Sequence, residues 1–259
     1  APGFSDKIKS NYEKNSKKNT DFDRDYLSLL PQPFSIDLAL KIQKLLGGKS
    51  YINERSTKSA FLANAGEHKI IQISTHAESN NDYPEFSRLI FAKNTAENKE
   101  DNSLFVDDIY NCNLKSNLAV LTACESGKPG YQDGEGMISL AHAFNYAGSQ
   151  SILMGLWKID EQASVLLMDL FYKNLLKGLP KDEALRLAKL KYLEHADRRM
   201  LAPQYWAGLV IMGDTSPVMI QQKSSLRKFV TGGIALLLLG FGYFIFKKTG
   251  RKVISTHQS

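Results

Sequence analysis

Two apolar segments of this chain end in residues that carry chemistry. One runs from Ile70 to His76, and the other runs from Leu118 to Cys124, 48 residues further along. Each has the length and the apolar character of a buried strand. Open α/β sheets place their functional sites at the carboxyl ends of such strands. The two segments therefore predict an α/β fold in which the imidazole of His76 and the thiol of Cys124 lie at one edge of a parallel sheet.

Helical and strand-like patterns alternate along the rest of the chain. We predict helices at residues 36–46, 137–146, 161–176 and 180–193, and further strands at 86–91, 151–157 and 205–213. We also expect a solvated loop or insertion at residues 7–25 and a short helix at 104–110. This alternation is typical of a mostly parallel sheet flanked by crossover helices.

The composition favours one globular domain without a disulfide framework. With 259 residues, 43% of them hydrophobic, the chain can bury one core. The formal charge of +6 comes from dispersed basic residues, so we expect no nucleic-acid partner. Only Cys112 and Cys124 are present, and two cysteines are more informative as sites of thiol chemistry than as a cross-linked scaffold.

An uncharged apolar run at residues 229–246 is bracketed by basic residues. A run of about 18 such residues is just long enough to cross a bilayer. The alternative is a buried helix, but a core helix seldom lacks every polar position. We therefore predict a single-pass C-terminal membrane anchor, with a linker at 214–228 and a short basic tail at 247–259. The flanking charges favour a cytoplasmic tail only slightly, which leaves the side of the membrane open.

The position of Cys124 distinguishes it from an ordinary buried cysteine. A cysteine in an apolar strand is most often an inert small side chain. Cys124, however, stands where its strand gives way to the sequence Glu-Ser-Gly at 125–127, and main-chain amides at such an edge can polarise a thiol. Cys112 lies between two asparagines ahead of the strand, and we assign it no role.

His76 is the matching candidate for a general base. A histidine near a strand end commonly bonds a neighbouring carbonyl in a structural role, but none of the other four histidines follows a strand in this way. The base would take the thiol proton, the thiolate would attack a carbonyl, and the amides of Ala77 and Cys124 would stabilise the oxyanion. No second His or Cys stands at ligand spacing near either residue, so we expect neither a metal nor a cofactor.

Further motifs accompany this pair. They are STHA at 74–77, LTACESG at 121–127, GEG at 134–136, AFNYAG at 143–148, GLWKID at 155–160, FY at 171–172, EAL at 183–185 and YWA at 205–207. In this order and spacing the chain resembles the CHAT domain, a caspase-like family related to separases and commonly found after tetratricopeptide repeats. The resemblance covers residues 1–213. It implies a caspase-like three-layer fold and a cysteine endopeptidase with a His76–Cys124 dyad, whose spacing agrees with the caspase signature.

The resemblance also implies features outside the dyad. Because the chain begins without a methionine or a signal-like stretch, we expect it to lack the first part of the domain and the regulatory repeats upstream. In separase-like relatives an aspartate of the segment resembling GLWKID contacts a basic residue before the cleaved bond. Asp160 is the candidate for that contact and Asp133 is the second, although Asp160 is equally well placed to cap the next helix. Caspase-like enzymes often carry glycine after the histidine, where this chain has Ala77.

Three functions are compatible with these residues. The first is a membrane-anchored, caspase-like endopeptidase that cleaves protein or peptide substrates after Arg or Lys and is regulated by upstream repeats or a partner. The second is a catalytically silent CHAT interaction module, or scaffold, at the membrane. The third is a thiol hydrolase of small esters or amides. The presence of both His76 and Cys124 favours the endopeptidase over the silent module.

Overall fold

The computed structural model describes residues 1–16, 24–80, 82–93, 102–122, 124–125, 135–157 and 159–220. All of them belong to one unit, Ala1–Ile220. Within these ranges, no helix has both the length and the apolar character that a membrane crossing requires. The apolar run at 229–246 and the basic tail at 247–259 lie outside the described residues, so the membrane anchor stays a prediction.

Eight strands in the described part of the chain form two four-stranded sheets. They are β1 (Ile70–Ile73), β2 (His76–Glu78), β3 (Arg88–Ile90), β4 (Ser103–Phe105), β5 (Leu118–Leu121), β6 (Cys124–Glu125), β7 (Ser151–Gly155) and β8 (Leu209–Gly213). The first sheet has the order β1-β5-β7-β8, and the second has the order β4-β3-β2-β6. In the first sheet β1, β5 and β7 are parallel and β8 is antiparallel. The predicted mostly parallel α/β sheet is therefore confirmed.

The helices begin and end at residues with recognisable local chemistry. They are α1 (Asp6–Ser16), α2 (Arg24–Ser28), α3 (Pro33–Leu46), α4 (Lys58–Asn64), α5 (Val106–Tyr110), α6 (Glu135–Tyr146), α7 (Glu161–Leu176) and α8 (Lys181–His195). Pro33 opens α3, where a missing N–H costs nothing, and Gly47 follows its last residue with a φ of 79°. Thr57 caps α4 by accepting a hydrogen bond from the amide of Ala60 at 3.1 Å.

Helices cover both faces of the first sheet. Every residue of β5 and β7 is buried, which explains why these strands read as unbroken apolar runs rather than alternating patterns. Ala119 and Leu121 pack with residues of α5 and α6, whereas Leu118 and Val120 pack with residues of α3, α7 and α8. The sheet therefore lies between two helical layers, and the segments that leave the carboxyl ends of β1 and β5 enter the second sheet.

Two of the local predictions are wrong. Residues 7–25 were expected to be a solvated loop, but residues 6–16 form α1 and α2 begins at Arg24. A surface helix needs only one apolar stripe, here Ile8 and Tyr12 four residues apart, and Lys and Asn are frequent at the remaining positions. The helix predicted at 104–110 begins only at Val106, because the two preceding residues pair with β3 as part of β4.

Three predicted strands are shorter in the structure. The segment at 86–91 contributes only β3, at Arg88–Ile90, and its first residue belongs to a short 3-10 turn. The segment at 151–157 ends its strand at Gly155, and the segment at 205–213 begins its strand at Leu209. In each case the apolar run continues beyond the residues that find a neighbouring strand.

A buried lysine fastens α8 to the chain that follows β8. The Lys181 side chain is only 1% exposed, and its Nζ donates to the carbonyl oxygen of Asp214 at 2.9 Å and to Oδ2 of the same residue at 3.0 Å. The hydrogen bond from Lys181 is the largest cause of a lowered Asp214 pKa, from its ordinary 3.8 to about 2. The ion pair therefore joins an enclosed cation to an accessible anion.

We expect Asp214→Asn to lower the stability of the domain in a pH-dependent way. A carboxyl whose folded-state pKa is depressed contributes stability that is present above its unfolded pKa and lost as the pH falls through the folded value. The melting temperature of the variant should therefore lie below that of the native chain at pH 6, and the gap should close between about pH 4 and pH 2. Thermal melts at both ends of this range measure it.

Lys181→Met is the matched control for this ion pair. It removes the ammonium but keeps a long apolar stem, and it leaves Asp214 free to be solvated. We expect Lys181→Met to be less destabilising than Asp214→Asn, because only the latter leaves a buried charge without its counter-ion. Equal melting temperatures for Asp214→Asn and the native chain at pH 6 would contradict the assignment.

Candidate active site

His76 and Cys124 lie opposite each other on neighbouring parallel strands. His76 is the first residue of β2, Cys124 is the first residue of β6, and the two are register partners. The prediction that each residue ends its strand is corrected here, because each residue instead begins a short strand of the second sheet. Both residues still lie beyond the carboxyl ends of β1 and β5. The fold thus brings together two residues that are 48 positions apart in sequence.

The imidazole of His76 is oriented by a main-chain carbonyl. The side chain is buried, with 4% of its surface exposed, and Nε2 lies 2.7 Å from the carbonyl oxygen of Leu30. A carbonyl can only accept, so Nε2 carries a proton in this hydrogen bond, and in the neutral form of the ring the basic lone pair lies on Nδ1. The Phe4 ring packs against the imidazole with a centroid distance of 4.9 Å. The ring is therefore held in one tautomer and one orientation.

The segment that carries the Leu30 carbonyl is itself held in place. The ammonium of Lys9 donates to the carbonyl oxygen of Leu29, and the amide of Gln32 donates to the carbonyl oxygen of Gly3 at 2.8 Å. Pro31 follows Leu30 and disfavours helical backbone at that position. The segment that precedes α3 therefore supplies the group that orients the histidine.

Sequence reasoning missed Leu30 because its contribution comes from the backbone. No side-chain type marks a carbonyl oxygen that will meet an imidazole. The available signal was the Pro-Gln-Pro sequence at 31–33, which limits both the conformation and the hydrogen-bond donors of this segment. That signal predicts a rigid connection but not its neighbour in space.

A small aromatic and aliphatic cluster covers the histidine side of the second sheet. Phe4, Tyr26, Leu29 and Ile90 are all buried in it, and Ile90 is the register partner of His76 on β3. Phe4 and Tyr26 meet edge to face at 5.9 Å. This cluster shields the ring from water, and a low local dielectric strengthens its hydrogen bond to the carbonyl of Leu30.

Ala77, next to His76, and Cys112, the second cysteine of the chain, have distinct settings. Ala77 is fully buried in β2, where it pairs with Leu89 on one side and with Glu125 on the other. Cys112 is half-buried, and its Sγ donates to the carbonyl oxygen of Asp108 at 3.3 Å. Burial is the main cause of a raised pKa for the Cys112 thiol, so this cysteine is a poor nucleophile at neutral pH.

Asp160 lies at the same edge of the sheet, after β7, and caps α7. Its Oδ1 accepts a hydrogen bond from the amide of Ala163 at 2.9 Å, while the residue as a whole is exposed. Nearby, Trp157 is 43% exposed, and its Nε1 donates to the carbonyl oxygen of Gln204 at 3.1 Å. The structure therefore gives Asp160 the capping role that the sequence allowed. Asp133 lies outside the described residues.

A mixed α/β fold with helices on both faces, and with a histidine and a cysteine on adjacent parallel strands, is compatible with a cysteine peptidase-like domain. The family model of the CHAT domain matches residues 12–214, and the chain belongs to the CHAT domain family. The family assignment made from the sequence motifs is thus confirmed.

The curated relatives of this chain are tetratricopeptide repeat proteins. The chain is 24% identical to tetratricopeptide repeat protein 28 of Mus musculus over 231 residues, which are 76% of this chain and 9% of that protein. It is 32% identical to tetratricopeptide repeat protein 28 of Homo sapiens over 119 residues, which are 46% of this chain and 5% of that protein. The chain thus matches less than a tenth of the length of these relatives.

Proposed function

We propose that this chain is a caspase-like cysteine endopeptidase in which His76 activates the thiol of Cys124. The observation that carries the proposal is the register of β2 and β6, which places the two residues directly opposite each other. A nucleophile next to a base that is itself oriented by a third group is the general arrangement of nucleophilic hydrolases. Here the third group is the carbonyl of Leu30.

The chemistry follows from the tautomer of His76. Nδ1 accepts the thiol proton, and the thiolate attacks the carbonyl carbon of the scissile amide, whose π electrons move to oxygen. The amides of Cys124 and Ala77 are the proposed donors to this oxyanion. Collapse of the intermediate breaks the C–N bond, and the leaving amine takes the proton from the imidazolium. Water then hydrolyses the thioester, with His76 as its base.

The carbonyl of Leu30 has a specific part in these steps. During proton transfer the imidazole becomes a cation, and a carbonyl oxygen 2.7 Å from Nε2 stabilises that charge without being able to take the proton. The surrounding apolar cluster removes competing water, which makes the fixed carbonyl dipole more effective. Leu30 is therefore a positioning residue for the base.

We propose that the substrate carries a basic residue before the cleaved bond and that Asp160 contributes to its recognition. Asp160 stands at the carboxyl edge of the first sheet, and its exposure leaves it accessible while one oxygen caps α7. Asp133, which lies between β6 and α6 in the sequence, is the second candidate. A carboxylate at a helix N-terminus is held in one orientation, which suits the capture of a guanidinium or an ammonium.

Asp160→Asn separates the specificity role from the capping role. Asparagine caps helices about as well as aspartate, so the stability of the domain should change by no more than a few tenths of a kcal/mol. Two reporter peptides are compared, one with Arg and one with neutral citrulline before the cleaved bond. If the carboxylate binds a basic side chain, the substitution should lower kcat/KM for the Arg reporter about tenfold more than for the citrulline reporter, which is equivalent to about 1.4 kcal/mol. Parallel losses on both reporters would leave Asp160 only its capping role.

A peptide electrophile tests the proposed nucleophile. We would incubate the full chain with a peptidyl acyloxymethyl ketone in which arginine is the residue next to the reactive ketone. Mass spectrometry of tryptic peptides would then locate the adduct. The expected adduct is on Cys124, with Cys112 unlabelled because its thiol is half-buried and its pKa is raised. The matched probe that ends in aspartate should label more slowly. Absence of a Cys124 adduct in the presence of upstream repeats would favour the silent interaction module.

Regulation and membrane attachment complete the proposal. The curated relatives are named for tetratricopeptide repeats, and we propose that such repeats, or a partner protein, control access to this domain. We also propose that the apolar run at 229–246 anchors the domain to a membrane. Fractionation of cells that express the chain with and without residues 229–259 tests this anchor, and an unchanged distribution would count against it.

A further inference from the structure

Four polar side chains meet where the first sheet gives way to the second. Gln72 donates through Nε2 to Oγ of Ser74 at 2.9 Å and to Oγ1 of Thr122 at 2.8 Å. The two hydroxyl oxygens are themselves 2.8 Å apart. From α7, the hydroxyl of Tyr172 donates to Oε1 of Gln72 at 2.7 Å. Tyr172, Ser74 and Thr122 are buried, with 0%, 1% and 9% of their surfaces exposed.

The protons of this network have one consistent arrangement. Gln72 has two N–H groups and gives one to each hydroxyl, so Ser74 and Thr122 both accept from it. Thr122 Oγ1 lies 3.4 Å from the carbonyl oxygen of Ile73 and directs its own proton there, which leaves the Ser74 proton for the contact between the hydroxyls. With the Gln72 amide reversed, both hydroxyls would donate to Oε1 and no proton would lie between them.

The network lies between the last register pair of the first sheet and the first register pair of the second. Ile73 and Leu121 are the last register pair of the first sheet, and His76 and Cys124 are the first pair of the second. Two residues separate these pairs on each segment. Ser74 and Thr122 are the first residues of these two connections. The contact between their hydroxyls and the 3.0 Å bond from the Thr122 amide to the carbonyl oxygen of Ile73 join the two segments there.

We propose that Gln72, Ser74, Thr122 and Tyr172 are positioning residues that hold His76 and Cys124 in register. The inference rests on the proposed function of the dyad. Each hydroxyl stands two residues before a dyad member, so a shift in either connection passes directly to the reacting group. A buried network in which every proton is committed resists such a shift, because any displacement leaves polar atoms unpaired. Tyr172 extends this hold to α7, and burial raises its pKa, so the phenol remains a donor at neutral pH.

The alkylation rate of Cys124 reports the register without requiring a substrate. In a Cys112→Ala background, iodoacetamide modifies only Cys124, and its rate at pH 6.5 follows the fraction of thiolate. We expect Thr122→Val, which keeps the shape of the side chain but loses the hydroxyl, to lower this rate about tenfold. Thr122→Ser, which keeps the hydroxyl, should retain most of the rate. Tyr172→Phe should lower it about threefold.

Ser116→Ala is the matched control. Ser116 and Ser149 form another buried hydroxyl pair at 2.6 Å, ahead of β5 and at the opposite end of that strand from Cys124. Its loss should lower the melting temperature but leave the alkylation rate unchanged. Equal rates for Thr122→Val and the parent at pH 6.5 would overturn the positioning role.

A different result would contradict the proposed function of the dyad itself. If His76→Ala alkylates as fast as the parent at pH 6.5, then His76 does not activate the thiol, whatever the network does. If Thr122→Val does not fold, as judged by circular dichroism, Tyr172→Phe decides the question, because removing one phenol oxygen preserves the packing of α7. An unchanged rate in that variant, with the His76 dependence intact, overturns the inference.

Discussion

Replacing Cys124 with alanine is expected to lower kcat for the hydrolysis of an Arg-containing reporter peptide by about 10⁵-fold or more, to the uncatalysed background. The loss is so large because the thiolate forms the covalent intermediate, and no neighbouring side chain can take over that bond. Initial rates of the full chain and the variant, measured at equal concentrations of folded protein, give the ratio.

His76→Ala is expected to lose a comparable factor, because without the base the thiol stays protonated near neutral pH. The double variant should be no slower than Cys124→Ala alone, since residues that act as one unit show non-additive losses. Cys112→Ala provides the control and should retain the activity. Equal hydrolysis by the native chain and Cys124→Ala would remove the thiol mechanism.

Gly148→Ala is expected to lower the free energy of unfolding by about 3 kcal/mol or more. Gly148 ends the turn after α6 with a φ of 111°, and an added Cβ would lie 2.0 Å from the carbonyl oxygen of Leu114. Leu114 is fixed in turn, because its amide donates to the carbonyl oxygen of Ala147 at 2.6 Å. Two backbone segments would have to separate, and no change of rotamer can relieve the contact.

Gly178→Ala is the control that isolates the steric part of this effect. Gly178 also has a positive φ, of 79°, but nothing lies within 4 Å of the position of its added Cβ. We therefore expect a loss of only about 1 kcal/mol, from the conformational preference of alanine. Urea unfolding of both variants measures the difference, and similar losses would show that the contact with Leu114 is not limiting.

Local sequence patterns predict those parts of the fold in which each residue depends mainly on its neighbours in the chain. The bounds of α7 at residues 161–176 agree with the helical spacing, because Asp160 supplies an N-cap and the apolar positions repeat with the helical period. The buried strands β5 and β7 were visible as apolar runs for a similar reason. In such segments the local preference and the tertiary environment agree.

The predictions failed where tertiary pairing outweighs local preference. Leu104 lies in a helix-compatible sequence, but in the structure it belongs to β4 and pairs with Leu89 of β3. The first turns of α1 contain so many polar residues that its apolar stripe was missed, although Ile8 is 3% exposed. In both cases a contact with a distant segment decides the conformation, and that contact cannot be predicted from a short window of sequence.

The sequence by itself determined that a histidine and a thiol follow two buried apolar segments, and its motifs identified the CHAT domain family. Only the tertiary structure decided that the two residues stand in register on β2 and β6 and that the carbonyl of Leu30 orients the imidazole. It also decided that Gln72 and Tyr172 form one hydrogen-bonded network with Ser74 and Thr122. The physical reason is that register, backbone carbonyl contacts and buried proton networks all depend on segments distant in the chain. Side-chain type and spacing identify the reactive groups in the sequence, whereas the pairing of the strands fixes the relative positions of those groups.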